Sequence, residues 1–328
     1  MELTHPGAAE TSPLLPVTRP VPVPGEGEVL IEVLACAVCR TDLQIVEGDL
    51  EAHNLPLIPG HQVVGRVLGA GPGAASLTEG ELVGVGWLAH TCGVCDMCRR
   101  GRENLCRRAE FTGWDRDGGY ATHTVAREAY CYRIPEGLAA VDAAPLLCGG
   151  IIGYRSFKLA EVGPGDRLGL YGFGASALLV AQVAIQQGCQ VYVVTRGTAA
   201  QERARSAGAT WVGAPGQQPP EPLQAAITFA PVGEVVVDAL RALDRAGSLV
   251  INAIHLNHVP EFEYQHLYWE RRVQSAANFT RQDSAELLHL ASEIPIRTQH
   301  EEFPLEEANQ ALMKLKTDGV RGAAVLIP

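Results

Sequence analysis

Residues 168–177 read Leu-Gly-Leu-Tyr-Gly-Phe-Gly-Ala-Ser-Ala, and the fold turns on this stretch. A short apolar run ends at Gly172, and SALLVAQVAIQQ at 176–187 follows with apolar residues at helical spacing. VYVV at 191–194 is a second buried-strand pattern, so the three segments form a β-α-β unit. Gly172 permits the tight turn and Gly174 lets backbone approach a pyrophosphate. The small Ala177 allows close helix packing, and the helix N-terminus offers partial positive charge to phosphates. A glycine pattern alone is a weak signal, but between a strand and a helix it predicts dinucleotide binding.

Further strand and helix patterns follow outward from this unit in AAITFA, VVVDALRALDRAG and SLVINAI, the alternation of a doubly wound parallel sheet. The rhythm ends near Gln282. The tail carries one amphipathic helix, LEEANQALMKLK, and a last strand, AAVLIP, both expected to pack on the first domain. Toward the N-terminus the texture changes. From Glu28 to about Ala140, runs such as EVLIEVLA, VVGRVLGA and ELVGVGWL alternate with Gly and Pro, which reads as an all-β domain with no long helix. The expected division is therefore 1–150 with 282–328 as a β domain, and 151–281 as an α/β nucleotide-binding domain. Prolines 13, 16, 20, 22 and 24 read as an extended lead-in, with a recognition ligand as the alternative.

Bulk composition limits the function classes. The 328 residues suit two domains, and 47% hydrophobic with 19% charged residues describes a globular chain. A formal charge of -11 argues against nucleic acid, because an acidic surface repels phosphate backbones. The start, MELTHPGAAETSPLLP, lacks an export pattern, and no apolar run is long enough to span a membrane, so a cytoplasmic location is expected. Nine cysteines in that compartment suggest metal or catalytic thiolates ahead of disulfides.

Two groups of residues suit a metal. Cys92, Cys95, Cys98 and Cys106 lie within fifteen residues, enough for one closed tetrahedral Zn²⁺ that would hold an irregular loop. Reduced thiols without metal, or a nucleic-acid-reading zinc ribbon, are the alternatives, and the acidic balance disfavours the second. Arg99, Arg100, Arg102, Arg107 and Arg108 surround the loop as solvated partners of the thiolates. Cys39, His61 and Cys148 are dispersed. Each alone has a plain explanation as a small buried thiol or a turn histidine. Together, two thiolates and one imidazole leave a fourth position open on a tetrahedral zinc, as a catalytic site requires.

CAVCRTDL, IPGHQVVGRV, the four-cysteine loop, DGGYAT, APLLCGGIIGYRSFK and YGFGASA occur in one order along nearly the whole chain. In that order and spacing the sequence resembles the zinc-dependent alcohol dehydrogenases of the medium-chain dehydrogenase/reductase superfamily. The resemblance implies a chaperonin-10-like (GroES-like) all-β catalytic domain beside a Rossmann-type domain. It also implies two Zn²⁺ per chain and a dimer or tetramer. By the same resemblance Cys39, His61 and Cys148 bind catalytic zinc, and Asp42 accepts a hydrogen bond from the second nitrogen of His61, which fixes its tautomer. Thr41 takes the alcohol proton, Arg40 binds pyrophosphate, and Trp87, five residues before Cys92, walls the alcohol pocket. Leu50 and Trp114 are further pocket residues, with core packing as the alternative. The implied reaction is reversible hydride transfer between a small primary alcohol or aldehyde and NAD(P).

Several positions depart from the family's pattern. Gln44 stands where many relatives have a histidine that finishes the proton relay, and an amide cannot accept that proton. Gln62 replaces the usual Glu after the zinc-binding histidine, leaving the site more positive. Ala323 stands where the family often has a pyrophosphate-binding Arg, with Arg321 nearby as a substitute. Where an NAD enzyme normally has an acidic residue at the end of the second strand, this chain has Thr195 and Arg196, a pair suited to a 2′-phosphate. NADP is therefore expected over NAD. The competing readings are a zinc-free quinone reductase of the same superfamily, a polyol or threonine dehydrogenase, and a nonenzymatic dinucleotide-binding redox sensor.

Overall fold

A computed structural model of the chain describes residues 1–254, 256, 258–317 and 319–328. It divides into two compact units, Met1–Cys148 with Asn278–Pro328, and Gly149–Ala277. The boundaries expected at 150/151 and 281/282 fall at 148/149 and 277/278. Gly149 begins the helix Gly149–Ala160. Asn278 donates through Nδ2 to the Asn104 carbonyl at 3.2 Å, and Phe279 is buried.

The first unit is built on a seven-stranded sheet in which Glu28–Val38 is the longest strand. Gln62–Ala70 pairs antiparallel along nearly its full length, while His123–Arg127 and Ala323–Ile327 share its other side, pairing with opposite ends. Leu82–Val85, Cys131–Arg133 and His300–Pro304 complete the sheet. Burial alternates from Glu28 to Val33, as for a half-covered strand, then becomes continuous from Ala35 to Val38. Val29, Ile31, Val33, Val63, Val67 and Leu326 form the middle of its core. No long helix is expected in this stretch; a short one of eight residues, Arg40–Glu47, follows the strand directly, with Leu43, Ile45 and Val46 buried. The tail helix, Ala308–Lys316, belongs to this unit.

The second unit is a six-stranded, all-parallel sheet in the order Trp211–Gly213, Gln190–Val194, Arg167–Tyr171, Leu223–Thr228, Leu243–Ile251, Arg272–Ser275. Chain order reverses beside Arg167–Tyr171, the switch point at which doubly wound sheets bind ligands beyond the carboxyl ends of their strands. Helix Ala175–Gln186 leaves that strand, and its apolar faces are covered. Among the described residues no helix is long and apolar enough to cross a membrane.

Candidate active site

Cys39 caps the helix Arg40–Glu47 in an extended conformation. Asp42, in the first turn, accepts the Cys39 backbone N–H through Oδ2 at 2.8 Å, which ties the cap and puts negative charge at the positive helix end. The same carboxylate reaches two more donors. Oδ1 lies 2.8 Å from His61 Nδ1, and the Tyr120 hydroxyl donates to Oδ2 at 3.2 Å. Asp42, His61 and Tyr120 are all fully buried, and three bonds satisfy the buried charge. Gly60 makes this packing feasible: its φ is +97°, and a Cβ there would stand 2.3 Å from Tyr120 Cδ1.

The Asp42 bond holds the proton on His61 Nδ1, so Nε2 presents a lone pair. That Nε2 is buried and has no hydrogen-bond partner. It lies within 4.8 Å of the sulfurs of Cys39 and Cys148, which are 3.9 Å apart. A tetrahedral zinc with thiolate bonds of about 2.3 Å spaces its sulfurs about 3.8 Å apart. Spacing and the orphaned nitrogen both fit a bound Zn²⁺. The electrostatics agree. Burial pulls the His61 pKa down, but the charge and hydrogen bond of Asp42, joined by Cys39, carry it up to about 10, so without metal Nε2 holds a proton near neutral pH and a bound cation would take that proton's place on the lone pair. Cys39 is pushed well below the usual thiol range, first by the hydrogen bond from Cys148, while that shared proton and burial hold Cys148 up. The pocket thus carries surplus negative charge for a cation to balance.

The four-cysteine loop forms a second cluster with all four ligand atoms within 4.8 Å. Its sulfurs are spaced 3.5 Å for Cys95–Cys98 and Cys92–Cys106, 3.9 Å for Cys95–Cys106 and 4.0 Å for Cys92–Cys98, again close to a zinc tetrahedron. The backbone N–H groups of Cys92 and Arg108 donate to Cys106 Sγ. Those of Val94 and Cys95 bring Cys92 down to about 5, while burial raises Cys98 to about 11.

Thr41 is buried with its hydroxyl 3.8 Å from Cys39 Sγ. Gln62 is buried too, and its Nε2 donates to the Ala37 carbonyl at 3.2 Å, so its amide is bonded to the neighbouring strand. The Trp87 ring meets His61 edge-on at 4.9 Å and stacks on Phe111 at 4.9 Å and Trp114 at 5.8 Å. Leu50 is half-buried against the core. Sequence reading missed the roles of Tyr120 and Phe111. Tyr120 had a signal in DGGYAT, but its bond to Asp42 requires the fold.

In the second unit Gly172 has φ +93°, and a Cβ there would approach the Ala230 nitrogen to 3.0 Å. Gly174 caps the helix Ala175–Gln186 with open space around its Cβ position, and Ala177 is fully buried. Thr195, at the end of Gln190–Val194, is buried, while Arg196 is exposed with no partner among the described residues. Arg40 and Arg321 are exposed in the first unit, and Ala323 begins the strand Ala323–Ile327.

A Rossmann-type unit, a β unit with a Cys-His-Cys cluster and a four-cysteine loop define a zinc-dependent dehydrogenase of the medium-chain class. Comparison with known proteins specifies it further. The family profile "Alcohol dehydrogenase GroES-like domain" matches residues 25–136. "Probable alcohol dehydrogenase AdhA" of Mycobacterium tuberculosis (strain CDC 1551 / Oshkosh) is 48% identical over 99% of this chain and 96% of its own. The cobalt- and zinc-bound thermostable alcohol dehydrogenase from Pyrobaculum aerophilum superposes with a TM-score of 0.89 at 26% identity, covering 100% of this chain and 98% of that one. CAD from Helicobacter pylori, complexed with NADP(H), has a TM-score of 0.84 at 24% identity over 92% of this chain and 91% of that one, a likeness of fold. The chain belongs to the zinc-dependent alcohol dehydrogenases of the medium-chain dehydrogenase/reductase superfamily. It is an oxidoreductase.

Proposed function

We propose that the chain interconverts small primary alcohols and aldehydes, with Cys39, His61 and Cys148 holding a catalytic zinc and Cys92, Cys95, Cys98 and Cys106 a structural one. The observation that carries this reading is the buried, unpartnered His61 Nε2 beside two sulfurs at zinc-ligand spacing. Zinc, when bound there, supplies a Lewis acid that lowers the pKa of an alcohol. Asp42 fixes the imidazole, Thr41 accepts the alcohol proton through its hydroxyl, and Trp87 narrows the pocket so that small substrates fit best. Gln62 is uncharged where relatives carry a carboxylate, which leaves the site more positive than theirs. Gln44 cannot extend the relay, so the proton leaves Thr41 through ordered water.

A nicotinamide dinucleotide, when bound, would supply the acceptor or donor of the hydride. Gly172, Gly174 and Ala177 hold its pyrophosphate at the helix N-terminus, with Arg40 as the basic contact and Arg321 in place of the residue missing at Ala323. Thr195 and the exposed Arg196 favour NADP by binding a 2′-phosphate. A homo-oligomer, dimer or tetramer, is proposed as well. Its support is the edge strand Arg272–Ser275, exposed at Val273 and next to the ring cluster Tyr264, Tyr268 and Trp269. Open sheet edges beside exposed apolar groups pair readily with a second copy. The cytosol is the proposed location, supported by nine cysteines none of which is in a disulfide.

Metal counting by mass spectrometry, with an alcohol panel followed at nicotinamide absorbance, tests the core of the reading. Two zinc ions per chain and primary-alcohol turnover are expected, with Cys148→Ser losing one ion and the turnover. A single ion confined to the four-thiol loop, with turnover intact, would reject it.

A further inference from the structure

The ring wall beside His61 continues outward to a histidine that no other contact of the site uses. The His53 ring lies 4.1 Å from Trp114, which stacks at 5.8 Å on Trp87, itself edge-on to His61. His53 is half-exposed, and its Nδ1 is 2.5 Å from Asp115 Oδ1. The other oxygen of Asp115 accepts the backbone N–H of Phe111 at 2.8 Å, and Phe111 is the second ring stacked on Trp87. Two further bonds join the same two segments. Trp114 Nε1 donates to the Glu51 carbonyl at 2.8 Å, and Asn54 Nδ2 to the Asp115 carbonyl at 3.1 Å. The Asp115 carboxylate therefore holds the Phe111 backbone directly and reaches the Trp114 ring through His53, and these are the two rings that back Trp87.

We propose that Asp115, with His53, is the positioning pair that sets the width of the alcohol pocket by fixing Trp114 and Phe111 behind Trp87. Three bonds from 51–54 to 111–116, together with the Asp115–Phe111 bond inside the turn, hold four rings in a pocket wall that packing alone would leave free to change rotamer. Loosening them enlarges the space for the alcohol's chain. The pair thus enforces the preference for small primary alcohols. The inference rests on Trp87 being the pocket wall.

The test compares kcat/KM for 1-hexanol and ethanol in the wild type, Trp87→Ala, Asp115→Ala, Asp115→Asn and His53→Ala, with near-ultraviolet circular dichroism of each. Asp115→Ala is expected to raise the hexanol-to-ethanol ratio roughly tenfold, the discrimination of about one methylene in an apolar pocket, and to do so through KM. Asp115→Asn keeps an acceptor for the Phe111 N–H and shifts the ratio less. His53→Ala shifts it in the same direction, and the double variant adds little beyond Asp115→Ala, as for two residues acting through one contact. The tryptophan bands weaken in the same variants. An unchanged ratio in Asp115→Ala beside a raised ratio in Trp87→Ala overturns the positioning role and leaves the pocket reading intact. An unchanged ratio in Trp87→Ala overturns both. A uniform fall for both alcohols in Asp115→Ala, with a lowered melting temperature, shows a purely structural contact and also overturns the proposal.

Discussion

Replacing Asp42 with Asn probes the proposed zinc site at constant shape. The carboxylate accepts three hydrogen bonds, from Cys39 N–H, Tyr120 O–H and His61 Nδ1. An amide has one acceptor oxygen and one donor nitrogen, so it cannot serve all three. If the oxygen keeps His61, the NH₂ faces two donors. If it turns to them, the NH₂ faces His61 Nδ1, which must then become the acceptor, moving its proton to Nε2 and spoiling the metal-binding lone pair. Zinc affinity at Cys39–His61–Cys148 should fall roughly 10- to 100-fold, the usual cost of losing such a supporting carboxylate. That corresponds to about 1.4–2.8 kcal/mol at 1.4 kcal/mol per decade. Leaving a buried donor unsatisfied costs the fold about 1–3 kcal/mol more. The assay is a competition titration against a chromophoric chelator, in which the four-thiol loop serves as an internal control. Its affinity should not change. Equal affinities for both ions in Asp42→Asn and wild type would refute the chain of contacts from Asp42 through His61 to the metal.

Gln44→His should raise alcohol oxidation most near neutral pH, where the imidazole is unprotonated and hydroxide is scarce, by up to roughly 100-fold, the lower end of what a positioned base contributes, and little at low pH where the ring is already protonated; an unchanged pH–rate profile would take this position out of the relay. Arg196→Ala should lower the NADP-to-NAD ratio of kcat/KM roughly 10- to 100-fold, the worth of a charge-assisted bond, and an unaltered ratio would reject the 2′-phosphate role. Glu103 clasps Arg281 through its backbone N–H and guanidinium at 2.8–3.1 Å. Burial raises the Glu103 pKa, but the Arg281 bonds and charge outweigh it and hold the carboxyl below its ordinary 4.5. A carboxylate lowered in the folded state stabilises above its unfolded pKa, and that contribution is lost as pH falls through the folded value. Glu103→Gln should therefore cost about 0.5–1 kcal/mol at neutral pH, discounted for the exposure of Arg281, and nothing once the Glu103 carboxyl is protonated in both the folded and the unfolded chain. Melting curves from pH 7 to about 3 would show the gap closing, and a gap constant with pH would disprove the ion pair's part.

Much of this protein was legible along the chain because its signals are local. A strand, two glycines and a helix within twenty residues specify the nucleotide turn, and four cysteines within fifteen specify a metal loop, since their partners are near in sequence. The helix Arg40–Glu47 escaped the strand-and-turn reading, although Cys39 and Asp42 at its start carry a capping pattern. Cys39 and Cys148 lie 109 positions apart, and only the resemblance, not the pattern of residues, pointed to their meeting. Tyr120 on Asp42, and Asp115 bridging His53 to Phe111, have no periodicity to betray them. Their meaning is a set of distances between remote loops. Sequence determined which segments become strand, helix or metal loop, because those choices depend on neighbours a few residues away. Tertiary packing alone decided which buried polar atoms are satisfied and which, like His61 Nε2, are left facing a ligand, because that depends on where distant segments come to rest.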